Sequence, residues 1–153
     1  MIDAVVTPKI YKGVVYAVNY QGNLVAVALK TGKVLWQRKL SSLSGLAVAN
    51  NVVYVSDVAG RVWSLNAKNG AVNWQQKALI GRSLGAVSLM GNSLVVGDAG
   101  GYLHWLSLTD GHLMSQVQIS ERAIIAAPLV QQDRVYATAI NGRLVAYQVK
   151  AIL

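Results

Sequence analysis

No cysteine occurs in the chain, which excludes disulfides, thiolate metal sites and a cysteine nucleophile, and leaves the redox compartment open. Charge is sparse, at 13% of residues. The six acids (Asp3, Asp57, Asp98, Asp110, Glu121 and Asp133) are scattered, and the two histidines, His104 and His112, lie on different elements. Such a distribution supplies neither a metal-ligand set nor a hydrolytic triad. Long apolar runs are missing as well. The longest uncharged stretches, 13–29 and 40–56, run about 17 residues with Asn and Gly inside them, where a membrane-spanning helix needs roughly 20 apolar residues. Strands of about 5–7 residues are also too short for a transmembrane barrel, which needs roughly 9–11. A soluble chain is expected. No signal peptide, lipidation cysteine or targeting tag is legible near the N-terminus, so any evidence of export is expected in sequence outside this stretch.

What the chain has in excess is positive charge, 14 Lys and Arg for a net +8. These residues fall in turns and near strand ends and never form a dense run, so they read as solvated faces. A nucleic-acid surface would cluster them among exposed aromatics, and no nucleic acid is expected as a partner. An acidic partner or anionic surface is the second reading.

The most informative pattern is a hidden repeat. Tyr20-Gln21-Gly22-Asn23-Leu24, Val58-Ala59-Gly60-Arg61-Val62, Gly100-Gly101-Tyr102-Leu103 and Asn141-Gly142-Arg143-Leu144 align on their glycines. The glycines Gly22, Gly60, Gly101 and Gly142 are about 38, 41 and 41 residues apart, the length of a four-stranded propeller blade. A second turn recurs about ten residues later, at Gly32, Gly70 and Gly111, followed by Trp36, Trp74 and, in the third copy, Ser115. The fourth copy reaches Val149 and Lys150 without showing this second turn. About three and three-quarter blades are expected, half of an eight-bladed ring, in a single partial propeller with blades near 4–42, 43–80, 81–120 and 121–150. Alternation and β-branched content place four antiparallel strands in each of the first three blades and three in the last. No stretch keeps a helical period, so an all-β chain with almost no helix is predicted.

A twisted sheet cannot bury both of its faces alone, so blades must stack face to face. Trp36 and Trp74 occupy equivalent positions at the start of the fourth strand. There a large ring fills the space between blades, and its N–H reaches a backbone carbonyl. Trp63 and Trp105, on third strands, receive the same packing role. Ser115 in the tryptophan position means that the outer packing of the third blade must differ. Asp57, Asp98 and Asp110 sit in turns, where a carboxylate commonly binds its own backbone.

The spacing Gly-x-Leu-x-Ala-x-x-x-x-x-Gly-x-x-x-Trp from Gly22 to Trp36, loosely repeated from Gly60 to Trp74, resembles the repeat of pyrroloquinoline-quinone-type propellers. Asn92 to Trp105, and Val14 to Ala17 with Tyr20 to Leu24, are similar to blades in the C-terminal half of the BamB family of outer-membrane assembly lipoproteins. The resemblance covers essentially the whole chain. It implies a non-catalytic scaffold of the β-barrel assembly machinery on the periplasmic face of a Gram-negative outer membrane. It also implies binding to BamA POTRA domains, unfolded outer-membrane proteins as further partners, and membrane association only through a lipid anchor that this chain lacks. In the family an Asp-x-Asp pair before Thr-Pro contacts BamA. Here Asp3-Ala4-Val5 precedes Val6-Thr7-Pro8, so Asp3 is retained and Val5 replaces the second carboxylate. Asp3 is thus the one candidate partner-binding residue.

No catalytic, cofactor-binding or metal-ligating residue is assigned, and no cofactor is expected. Quinone-dependent dehydrogenases share the repeat but are expected to carry adjacent cysteines and clustered carboxylates. A ligand-binding or sensor module of a quinone-type propeller is the alternative class. Uncovered blade faces and an open last sheet predict that this chain self-associates.

Overall fold

A computed structural model describes residues 6–20 and 22–150. Among these residues every regular element is a strand. The first sheet comprises β1 (Lys9–Tyr11), β2 (Val14–Val18), β3 (Asn23–Ala28) and β4 (Val34–Lys39). The second comprises β5 (Leu46–Ala49), β6 (Val52–Ser56), β7 (Val62–Asn66) and β8 (Val72–Gln76). The third comprises β9 (Val87–Met90), β10 (Ser93–Gly97), β11 (Tyr102–Ser107) and β12 (Leu113–Gln118), and the fourth comprises β13 (Leu129–Gln131), β14 (Arg134–Thr138) and β15 (Leu144–Gln148). Each sheet is an antiparallel meander in sequence order, because its strands are joined by turns too short for a crossover. The innermost strands β1, β5, β9 and β13 lie side by side along one axis.

The core lies between the sheets in three layers. The first holds Tyr16, Leu24 and Ala26 against Val53, Val55 and Leu65. The second holds Tyr54, Val62 and Trp74 against Leu94, Val96 and Leu106. The third holds Val95, Leu103 and Trp105 against Val135 and Ala137. The two middle sheets are therefore covered on both faces, which accounts for their nearly continuous apolar strands.

A repeated device locks one sheet to the next. Trp36 Nε1–H and the Tyr16 hydroxyl both donate to the Ala67 carbonyl, at 2.9 and 3.0 Å, and Arg38 Nε donates to the Gly70 carbonyl at 2.9 Å. One sheet further on, Trp74 Nε1–H donates to the Leu108 carbonyl and Gln76 Nε2 to that of Gly111, both at 2.9 Å. The indoles lie against Gly70 and Gly111. A Cβ on Gly70 would stand 2.6 Å from the Trp36 ring, and one on Gly111 would strike Trp74 in the same way. Both glycines also turn at positive φ, 73° and 75°.

The third sheet solves the absence of a fourth-strand tryptophan by moving the ring across the ladder. Trp36 lies opposite Ala26, and Trp74 lies opposite Ser64. In the third sheet the order is inverted, with Trp105 opposite Ser115. Trp105 then packs toward the fourth sheet with its ring 5.6 Å from that of Tyr147. Trp63 and Trp105 are consequently not equivalent, since one packs toward the first sheet and the other toward the fourth.

Candidate functional site

The buried ionisable side chains of this frame, Asp57, Asp98 and His104, gather at two turns. In the β6–β7 turn, Asp57 Oδ1 accepts the backbone N–H of Ala59 and of Arg61, both at 3.0 Å. Its Oδ2 accepts Arg61 Nε at 2.6 Å and Trp63 Nε1 at 2.8 Å. In the β10–β11 turn, Asp98 Oδ1 accepts Gly100 N–H at 2.9 Å and Tyr102 N–H at 3.0 Å. Its Oδ2 meets His104 Nε2 at 2.8 Å and accepts Arg82 Nη1–H at 3.1 Å. The sequence places a carboxylate at the first position of each turn, where the following amides converge on it. The residue six further on closes the set, an indole in one sheet and an imidazole in the next.

Burial alone pushes the Asp98 carboxyl pKa up. Hydrogen bonds from His104, from the Tyr102 amide and from Arg82 outweigh it and hold the group below the usual carboxylate value. A carboxylate only accepts, so the His104 proton on this edge sits on Nε2. His104 is fully buried and its Nδ1 has no hydrogen-bond partner among the described residues. A histidine with no solvent face cannot meet a substrate, so the pair is structural. Exposed Asp110 accepts His112 Nδ1 at 2.6 Å, and this contact lowers its pKa in turn. Among the described residues no three His, Cys, Asp or Glu side chains are grouped so that they could hold a metal ion.

Asp3 and Val5 lie outside the described residues, so the expected partner contact has no geometry here. Gly60 and Gly101 pack against the backbone of the connections that follow their own sheets, at Leu79 and Ser120 respectively. Gly32 and Gly142 turn at φ 71° and 83° in open surroundings, and Gly22 adjoins residue 21, which is outside the description. What sequence reasoning missed is the pairing of His104 with Asp98. The alignment of Asp57 with Asp98 and of Trp63 with His104 puts a hydrogen-bonding ring at each repeat position, but only the structure shows that each ring reaches its carboxylate.

Four-stranded antiparallel sheets stacked about an axis, with tryptophan–carbonyl locks between them, define a β-propeller of the quinone-repeat class. Residues 1–76 and, overlapping them, 48–151 match the family described as outer membrane protein assembly factor BamB. The chain belongs to the BamB family. Outer membrane protein assembly factor BamB of Moranella endobia (strain PCIT) is 40% identical over 142 residues, covering 93% of this chain and 36% of the relative. The crystal structure of BamB from Moraxella catarrhalis superposes with a TM-score of 0.86 at 28% identity, over 96% of this chain and 44% of that one. The computationally designed Ika4 protein shares the fold, with a TM-score of 0.81 at 16% identity over 98% of this chain and all of the designed one. The chain thus spans little more than a third of the length of the curated relative.

Proposed function

We infer that this chain is a non-catalytic interaction scaffold of the machinery that assembles β-barrel proteins, and that it binds the POTRA domains of BamA at the periplasmic face of the outer membrane. The observation that carries this reading is the match to the BamB family along essentially the whole chain, on a frame whose buried carboxylates are taken up by Trp63 in one turn and by His104 in the other. Groups held in this way hold turns in shape and leave the loops as the variable, exposed part, the usual place for recognition on a rigid scaffold.

A titration of this chain against purified BamA POTRA domains, with Asp3→Ala alongside, tests the reading. Saturable binding is expected, with affinity lowered by about three- to tenfold in the variant if Asp3 is a partner contact at the rim of the interface. Unchanged binding by Asp3→Ala moves the contact elsewhere on the scaffold. Absence of binding by a chain shown by circular dichroism to be folded overturns the assignment.

A further inference from the structure

Rows of side chains run across the strands of the first three sheets, and the third row is one ring short. In the first sheet Tyr16, Ala26 and Trp36 lie opposite one another on β2, β3 and β4. In the second, Tyr54, Ser64 and Trp74 do so on β6, β7 and β8. Each row alternates ring, small, ring, with ring centroids 6.1 and 6.2 Å apart. In the third sheet the row is Val95, Trp105 and Ser115 on β10, β11 and β12, which alternates small, ring, small. Register partners share one face of a sheet, so the face turned to the fourth sheet has the volume of one ring left over.

The hydrogen bonding changes with the packing. Ala67, Leu108 and Val149 hold one repeat position, since each donates its N–H back to the turn between the first two strands of its sheet, at Asn51, Asn92 and Asp133. The carbonyls of Ala67 and Leu108 each accept an indole N–H from the preceding sheet at 2.9 Å. Trp105 is the ring that packs toward the sheet of Val149, and its Nε1–H is buried with no partner among the described residues. A buried donor of this kind is uncommon in folded proteins, because it has given up water without gaining an acceptor.

Both deficits fall at one place. A cavity of about 640 Å³ opens between the third and fourth sheets, lined by Trp105, Met114, Ser115, Tyr147, Val149 and Lys150. Its volume and its mix of aromatic and apolar walls with a few polar groups are those of small-molecule sites. Among the described residues Lys150 is the one charged side chain on the wall, so the cavity favours an anion. Met114, 56% exposed at the mouth, has the flexibility to settle over a flat ligand. The corresponding cleft between the first and second sheets offers no free donor, since the Tyr16 hydroxyl and the Trp36 indole both end on the Ala67 carbonyl.

We propose that this cavity is a binding site for a small planar aromatic carboxylate. The ring of the ligand takes the place left over in the row, against Trp105 and Tyr147. Its carboxylate supplies the acceptor for Trp105 Nε1–H and the countercharge for Lys150. The site arises from the exchange of ring and small residue between Trp105 and Ser115, and it does not rest on the scaffold reading above.

The test titrates the full 153-residue chain with indoleacetate as probe, by calorimetry. Saturation near one molecule per chain is expected, at about millimolar probe or below. Ser115→Trp puts a ring of the chain's own into the cavity and should weaken binding at least about tenfold. Lys150→Ala, a change at an exposed position, should weaken it about two- to fivefold. Cyclohexaneacetate has the same charge without a flat ring and should bind at least about threefold more weakly. The Nε1–H proton resonance of Trp105, identified by its loss in Trp105→Phe, should move as the probe saturates. No saturable binding by the folded chain, or a Trp105 resonance that stays in place at saturation, overturns the site. Equal affinity in a folded Ser115→Trp variant also overturns it; where that variant does not fold, equal affinity in Lys150→Ala does so. Each of these outcomes leaves the scaffold reading in place.

Discussion

Asp98 and His104 show how one residue changes the character of a repeat. At the equivalent station the Trp63 indole donates to Asp57 from a half-buried ring, whereas His104 is fully enclosed. Removing the acceptor leaves a buried imidazole N–H unpaired together with the turn amides. Asp98→Ala is therefore expected to cost about 3 kcal/mol in urea denaturation at neutral pH. The pH dependence has a definite sign. The folded Asp98 pKa is lowered, so its contribution is complete above the unfolded carboxylate value of about 3.9 and is lost as pH falls through the lower folded value. Wild-type stability should thus fall as the pH drops below about 4, and the Asp98→Asn variant should show a shallower fall over the same range. Identical acid limbs for the two proteins would sink this account. Much of the station is legible in the sequence, since Asp at a turn start predicts capping of its own amides. The His104 contact is not, because it depends on two strands bringing residues six apart onto one side of the ladder.

At the scale of elements, the tryptophan locks decide how sheets stack. The spacing from Gly32 to Trp36 and from Gly70 to Trp74 is plain in the sequence, but the carbonyl that each indole reaches belongs to the next sheet and about 31 to 34 residues downstream. Gly111→Ala places a methyl against Trp74 and a side chain at φ 75°, and should lower stability by at least about 1–2 kcal/mol. A ΔΔG near zero in chemical denaturation would mean that the ring moves freely. The inverted pair in the third sheet makes a stricter prediction. Trp105→Ser alone should cost about 3 kcal/mol as a large core truncation. Adding Ser115→Trp restores the order found in the first two sheets and should recover at least about 1 kcal/mol of that loss in a double-mutant cycle. Strict additivity would show that the slot beside the fourth sheet does not accept the ring. The sequence marks Ser115 as an exception, yet the compensating Trp105 is visible only once register places the two opposite each other.

For the molecule as a whole, the sheets at either end of the stack have one covered face and one open one. Val15, Ala17, Val25 and Val27 form the open face of the first sheet, and Leu129, Tyr136 and Leu144 that of the fourth, with Leu129 at 68% and Leu144 at 66% exposure. Apolar faces of this kind associate in water, so the 153-residue chain in isolation should run above its monomer mass of 16.3 kDa in size exclusion with light scattering. Leu129→Glu with Leu144→Glu should shift it toward monomer. A monomeric wild-type chain at micromolar concentration would show that these faces are too small or too wet to pair.

The sequence by itself determined the unit and its period. Glycine turns at a fixed spacing, strands too short for a transmembrane barrel, and acids too scattered to act together all follow from local order, because turn chemistry and alternation are properties of neighbouring residues. Only the tertiary structure decided which face each ring covers, which carbonyl it reaches, and that Asp98 and His104 share a proton's length of space. The reason is physical. A repeat sets what each blade can do, but contacts between blades join residues one period apart, and only stacking fixes which of them meet.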